Sequence, residues 1–217
     1  MFQTDILFGI PIYKIKIDST LYDKENILST IKKNYSIGPR NKYDFYNSTM
    51  HMSYEDEGNE KFEKMNYDKL KKVYDSVFND FLKNIKLNYS GTVNLFYNII
   101  NYTVSKKDNF MGFHSHLPDN DFACVHYLQM DKNHLGTQFE NTHKFSDYYP
   151  YIRPDIYNSL DKGDSINSFA FQNFTLGVEE DDMIIFPSVA KHGIKKLKFI
   201  SDKLRITIAT NLKLNFS

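Results

Sequence analysis

Met183-Ile184-Ile185-Phe186-Pro187-Ser188-Val189-Ala190-Lys191-His192 is the stretch on which the fold turns. Its first four residues are apolar, two of them β-branched, and Asp182 and Pro187 bound the run. That reads as a buried strand from Asp182 to Pro187. Val189, Ala190 and Lys191 then make a short turn, and His192-Gly193 follows. An apolar strand that delivers a histidine just past its end is how a β-barrel sets a ligand at its rim. Taken alone, His192 also reads as an ordinary surface turn histidine.

The neighbouring sequence carries the same strand signal. Thr92–Thr103, Asp121–Met130, Thr137–Glu140, Ser168–Leu176 and Leu204–Leu214 are rich in β-branched or aromatic residues. Short strands in series with no helical pattern between them predict a sandwich or a barrel. Residues 141–167 interrupt the series with Tyr148, Tyr149, Pro150, Tyr151, Pro154 and Tyr157. A loop that long in a compact domain is expected to be a lid or a binding loop.

Upstream, Ile6–Asp18 reads as one strand. Ile10, Ile12, Lys14 and Lys16 fall on one face, Pro11, Tyr13, Ile15 and Ile17 on the other, and Pro11 argues for an edge or a strand start. A helix is predicted over Lys24–Asn34. Residues 35–63, with Gly38-Pro39 and Glu55-Asp56-Glu57, read as a solvated loop. Asn66–Leu87 holds the clearest helix: Leu70, Val73, Tyr74, Val77, Phe78, Phe81, Leu82 and Ile85 fall at three-and-four spacing, with Asn66 as N-cap. This stripe predicts a helix that covers a sheet.

Bulk properties bound the function. The chain has 217 residues, enough for one domain over 1–217, with an N-terminal strand and supporting helices in 1–90 and a barrel core in 91–217. Lys+Arg and Asp+Glu are both 27, so charge makes no case for nucleic-acid or membrane partners. No run approaches ~20 apolar residues, the length of a membrane span. The start has no secretory pattern, and the single Cys124 fits a reducing, cytoplasmic setting and a core position.

The chemistry concentrates in three places. His114 and His116 are one residue apart, so on an extended segment they point to the same side. Neutral imidazoles in that arrangement suit Fe, Zn, Cu or Ni, and His192 would close the face. Arg205 follows 13 residues after His192, on a strand face shared with Thr207, Ala209 and Asn211. An arginine among apolar β-branched residues requires an anionic partner. A structural Asp or Glu satisfies that need, and so does a bidentate carboxylate ligand. His51, His126, His134 and His143 read as structural or exposed.

In this order and spacing the residues resemble the iron(II)/2-oxoglutarate-dependent oxygenases of the prolyl-4-hydroxylase-like group. The resemblance runs through Leu7-Phe8-Gly9-Ile10-Pro11, Ile99-Ile100-Asn101-Tyr102 to His114, Val125-His126-Tyr127-Leu128, Gly136-Thr137-Gln138-Phe139, Phe186-Pro187-Ser188 before His192, and Arg205-Ile206-Thr207 before Asn211. It implies a mainly β fold with flanking helices (α+β), a double-stranded β-helix or jelly roll with one or two helices on the outer sheet. It implies Fe(II) held by His114, His116 and His192. It also implies 2-oxoglutarate held at its far carboxylate by Arg205 and Thr207, with Tyr102, Tyr127 and Asn98 as further contacts. The implied activity is a dioxygenase that uses dioxygen to hydroxylate a small molecule or peptide, releasing succinate and CO2.

One position departs from that family. The usual triad is His-x-Asp/Glu and a distal His; here the carboxylate position is His116, with Asp119 and Asp121 nearby. The set His114, His116, Asp121, Pro187 and His192 also resembles the cupin spacing. That resemblance implies a metal-dependent enzyme without 2-oxoglutarate and leaves Arg205-x-Thr207 without a counterpart. A jelly-roll binding or structural module is the remaining alternative.

Overall fold

Alternating strands that each have one apolar face must stack those faces, and here they form two antiparallel sheets. The computed structural model describes residues 2–37, 48–53, 60–85, 87–196 and 201–217. Eleven strands are present among them: β1 (Gln3–Leu7), β2 (Ile10–Lys16), β3 (His51–Met52), β4 (Val93–Ser105), β5 (Met111–His114), β6 (Phe122–Gln129), β7 (Gln138–Glu140), β8 (Asn173–Thr175), β9 (Asp182–Pro187), β10 (His192–Ile194) and β11 (Arg205–Phe216). The larger sheet runs β1-β2-β9-β6-β11-β4-β3 and the smaller β5-β10-β7-β8. With helices on the outer face of the larger sheet, this is the expected jelly-roll architecture of the α+β class. No helix among the described residues is long and apolar enough to cross a membrane.

Two apolar layers hold it together. Between the sheets lie Leu7, Ile12, Ala123, Tyr127, Phe139, Phe174, Ile184 and Phe186. On the outer face, α1 (Lys24–Ser36) and α2 (Asp68–Asn84) cover the larger sheet. α2 buries Leu70, Tyr74, Val77, Phe78 and Phe81, the stripe its periodicity predicts. Each large side chain buried this way contributes about 1.5–3 kcal/mol relative to exposure. Asn66 Oδ1 accepts from the Asp68 N–H at 2.9 Å, so Asn66 closes the first turn from one residue further out than a standard N-cap.

Several expectations are corrected. The single strand over Ile6–Asp18 is the second arm of a hairpin that begins at Gln3. Phe8 and Gly9 both take positive φ (54° and 82°), the two-residue turn that matches strand twist. Pro11 falls near the start of β2, outside the stretch paired with β9. The proposed strand over Ser168–Leu176 shortens to β8. Ser165–Ala170 is a 3-10 segment instead, because Asp164 caps it by accepting from the Ile166 N–H. The interruption at 141–167 is not structureless: it holds α3 (Phe145–Ile152) and α4 (Pro154–Ser159). Pro150 and Pro154 keep both too short to show a helical period. Within 35–63, β3 is buried and pairs with β4; Gly38-Pro39 and Glu55-Asp56-Glu57 lie outside the described residues.

Candidate functional site

His192 is buried at the first residue of β10, a short strand of its own after the one that opens near Met183, beside β5. His192 and His114 are direct cross-strand partners, with ring centroids 4.3 Å apart. Gly193 allows that approach: a Cβ there would stand 2.7 Å from the Met111 carbonyl oxygen and 3.0 Å from that of Gly112. His116 follows β5, and its backbone N–H donates to the Ser188 carbonyl at 3.1 Å. Its ring lies 5.3 Å from His114 and 5.1 Å from His192. One ring nitrogen from each of the three histidines lies within 4.8 Å of the other two.

The three rings share one tautomer. Nδ1–H of His114 donates to the Gly112 carbonyl (3.0 Å), that of His192 to the Ala190 carbonyl (2.9 Å), and that of His116 to Asn211 Oδ1 (2.6 Å). Each acceptor oxygen can only accept, so the proton sits on Nδ1 and the lone pair on Nε2. Burial pushes all three imidazoles toward the neutral form: His114 down to about 4, His116 below its usual range and His192 well below it. Three converging neutral nitrogen donors, each ring held from behind, are a donor set that could hold a transition-metal ion. Asp119 and Asp121 are exposed and outside this cluster; the Asp121 carboxylate accepts from the Leu214 N–H at 2.7 Å.

The same cavity is lined by Arg205, Thr207 and Ala209 of β11, the face predicted by alternation. Arg205 is 1 % exposed. Its Nε donates to the Leu135 carbonyl (3.1 Å), and the Tyr127 ring lies 5.2 Å from its guanidinium carbon. Nη1 and Nη2 are buried and have no hydrogen-bond partner among the described residues. Among the described residues no acidic side chain lines the cavity. A buried guanidinium whose two terminal nitrogens have no partner among the described residues has the shape and charge to take a bidentate carboxylate. Thr207 and Thr103 share a 2.7 Å hydroxyl hydrogen bond at its side, which leaves one hydroxyl proton for a ligand.

Tyr127 supports rather than lines this end: its buried hydroxyl is bonded to Thr137 Oγ1 at 2.7 Å and receives the Thr137 N–H at 3.0 Å. Tyr102 and Asn98 are not brought to the site. On β11, Ala209 faces Asn101 and Thr210 faces Ile99, so Ile100 is an extra residue, a β-bulge in β4. The bulge inverts the alternation between the two candidates. Tyr102 turns into the helix-side core, and Asn98 sits exposed on the far side of the bulge. Ile100 and Asn101 line the cavity in their place.

The sequence reading assigned no role to Asn211, Asn101 or Gly193. Asn211 was detectable through its place on the Arg205-Thr207 face and Gly193 through its adjacency to His192. Of the remaining histidines, His126 and His134 are buried and bonded, His126 Nδ1 to the Tyr74 hydroxyl and His134 Nε2 to the Lys203 carbonyl, both at 3.0 Å. His51 is buried and His143 exposed. Cys124 is buried, as its apolar context predicted.

No protein-family model matches the chain, and no curated protein is similar to it in sequence. Solved structures are similar in shape. A prolyl-4-hydroxylase from Pseudomonas putida superposes with a TM-score of 0.50 at 7 % identity, covering 93 % of this chain and 91 % of that one. A viral collagen prolyl hydroxylase from Paramecium Bursaria Chlorella virus-1, solved as its 2OG complex, gives 0.47 at 11 % identity over 93 % and 94 %. HygX from Streptomyces hygroscopicus, solved with nickel and 2-oxoglutarate bound, gives 0.45 at 8 % identity over 93 % and 82 %. At these identities the Pseudomonas putida likeness shows a shared jelly-roll fold.

Proposed function

We propose that the chain is a single-domain, non-haem iron(II)- and 2-oxoglutarate-dependent oxygenase that hydroxylates a small-molecule or peptide substrate. The observation that carries this reading is the pairing, in one cavity, of three neutral histidine donors with a buried arginine whose two terminal nitrogens are unmet. A metal site alone gives the arginine no purpose. A 2-oxo dicarboxylate explains both ends, since one end chelates a metal and the far carboxylate pairs with the guanidinium.

In this reading His114, His116 and His192 hold Fe(II) through Nε2. Arg205 and Thr207 fix the far carboxylate, and Tyr127 and Thr137 brace the arginine from behind. Met52, Met111 and Ile194 line the same cavity and keep it apolar. Iron(II) with 2-oxoglutarate supplies the oxidative chemistry: one oxygen atom of O2 enters a substrate C–H bond, and the other enters the keto acid, which leaves as succinate and CO2. A cupin-type centre without 2-oxoglutarate fits less well, because Asp121 is engaged at the Leu214 amide and the Arg205 face remains unexplained.

The test is an anaerobic titration of the Fe(II)-loaded protein with 2-oxoglutarate. A visible charge-transfer band is expected and should be lost in Arg205→Ala. Tight metal binding with no response to 2-oxoglutarate would overturn the cosubstrate half of the proposal. Absence of specific metal binding would overturn all of it.

A further inference from the structure

His114 and His192 are oriented locally, each by a backbone carbonyl two residues earlier in the chain. At Nδ1 both are held by the local backbone. His116 differs. Its Nδ1–H meets the side-chain oxygen of Asn211, 95 residues away on β11, at 2.6 Å. Its Nε2 is buried and has no partner among the described residues. Asn211 stands two positions beyond Ala209 on the strand that also carries Arg205 and Thr207. One strand thus positions both the carboxylate-binding end and the third histidine.

We propose that Asn211 is the positioning residue of the metal centre: its carboxamide oxygen holds His116 as an Nε2 donor, and by being a carboxamide it sets the charge of the site. This rests on the reading of His114, His116 and His192 as metal ligands. A carboxylate at 211 would accept the same Nδ1–H but place a negative charge behind the ring, making the imidazole a stronger donor. Asn211 supplies the orientation without that charge. The third ligand therefore remains neutral, in a cavity whose lining contains no acidic side chain among the described residues. Substitutions at 211 should accordingly separate orientation from charge.

The experiment is anaerobic calorimetric titration with Co(II) alone, read in parallel by the visible spectrum of the bound ion, on wild type, Asn211→Leu, Asn211→Asp and His116→Ala. Thermal melting of the metal-free proteins checks folding, and Asn211→Ala replaces the leucine variant if that one does not fold. Asn211→Leu should bind Co(II) about 10–100-fold more weakly, the usual consequence of losing a hydrogen bond behind a metal-bound histidine. Asn211→Asp should bind at least as tightly as wild type, with a shifted visible spectrum, and His116→Ala should lose at least as much as Asn211→Leu.

If Asn211→Leu keeps wild-type affinity while His116→Ala loses it, the Asn211 proposal is overturned and the metal reading stands. If Asn211→Asp loses as much as Asn211→Leu, the residue acts through shape and not through its acceptor, which also overturns the proposal. If His116→Ala binds like wild type, His116 is not a ligand and the underlying reading fails with it.

Discussion

Replacing Arg205 with methionine should make the ligand-free protein more stable and cancel that advantage once 2-oxoglutarate is bound. Arg205 is buried with Nη1 and Nη2 unmet among the described residues. Each unmet buried donor costs about 1–3 kcal/mol, so the pair costs roughly 4 kcal/mol. Methionine removes both donors and keeps most of the apolar stem. It forfeits the hydrogen bond to the Leu135 carbonyl, about 1 kcal/mol, and the contact with the Tyr127 ring, also about 1 kcal/mol. The balance is roughly 2 kcal/mol in favour of Arg205→Met, or about 4–8 °C in melting temperature for a chain of this size.

Ligand should cancel that advantage, because wild type gains more from it than the variant does. With Mn(II) as a redox-inert metal and 2-oxoglutarate at 100 times its Kd, wild type gains about 2.7 kcal/mol. The variant, lacking the partner of a buried carboxylate, should bind the keto acid at least about 30-fold more weakly, since such a loss costs about 2–5 kcal/mol. Thermal and urea denaturation of both proteins, with metal alone and with metal plus 2-oxoglutarate, make the four required measurements. A variant less stable than wild type without ligand, or one that gains as much stability from 2-oxoglutarate as wild type does, would refute the reasoning.

Gly193→Ala should push β10 from β5, because its Cβ falls 2.7 Å from the Met111 carbonyl oxygen. The expected outcome is a destabilisation of about 1–3 kcal/mol together with weakened Co(II) binding, and an unchanged metal affinity by calorimetry would contradict it. Tyr102→Phe and Asn98→Ala should leave 2-oxoglutarate affinity unaltered, since neither residue lines the cavity; a fivefold loss in either variant would show the bulge reading to be wrong. Burial, with a smaller contribution from Lys24, pushes the His126 imidazole down to about 3. The unfolded chain, with His126 near 6.5, therefore binds more protons below that pH. The stability contributed by His126 is complete above pH 6.5 and drains away as pH falls from there toward 3. Urea midpoints at pH 7 and 4.5 should differ less in His126→Gln than in wild type, and an equal difference in both counts against the assignment.

Much of the site was legible because alternation on a strand is a local property. Arg205, Thr207, Ala209 and Asn211 share a face by parity alone, and that is the face that meets the cavity and the His116 ring. The α2 stripe was readable for the same reason, with period 3.6 replacing period 2. Tyr102 and Asn98 come from the resemblance and from no face reading: Tyr102 pairs with Ile208 on the helix-side face, and Asn98, opposite Asn211 beyond the bulge, is exposed. The turn at Phe8-Gly9 escaped notice because an aromatic residue rarely takes positive φ, so nothing in its chemistry marks a turn. The short helices between Phe145 and Ser159 span too few turns for a period to appear.

By itself the sequence determined the residue types of the site, the buried strand leading to His192 and the apolar faces that call for stacked sheets. These depend on composition and spacing within a dozen residues, where covalent geometry dictates which way side chains point. Only the tertiary structure decided that His114 and His192 face each other across β5 and β10, that Arg205 meets no acid among the described residues, and that His116 is turned by an asparagine 95 residues away. Those facts depend on which strands become neighbours. Pairing of that kind comes from packing the whole chain, and no local pattern encodes it.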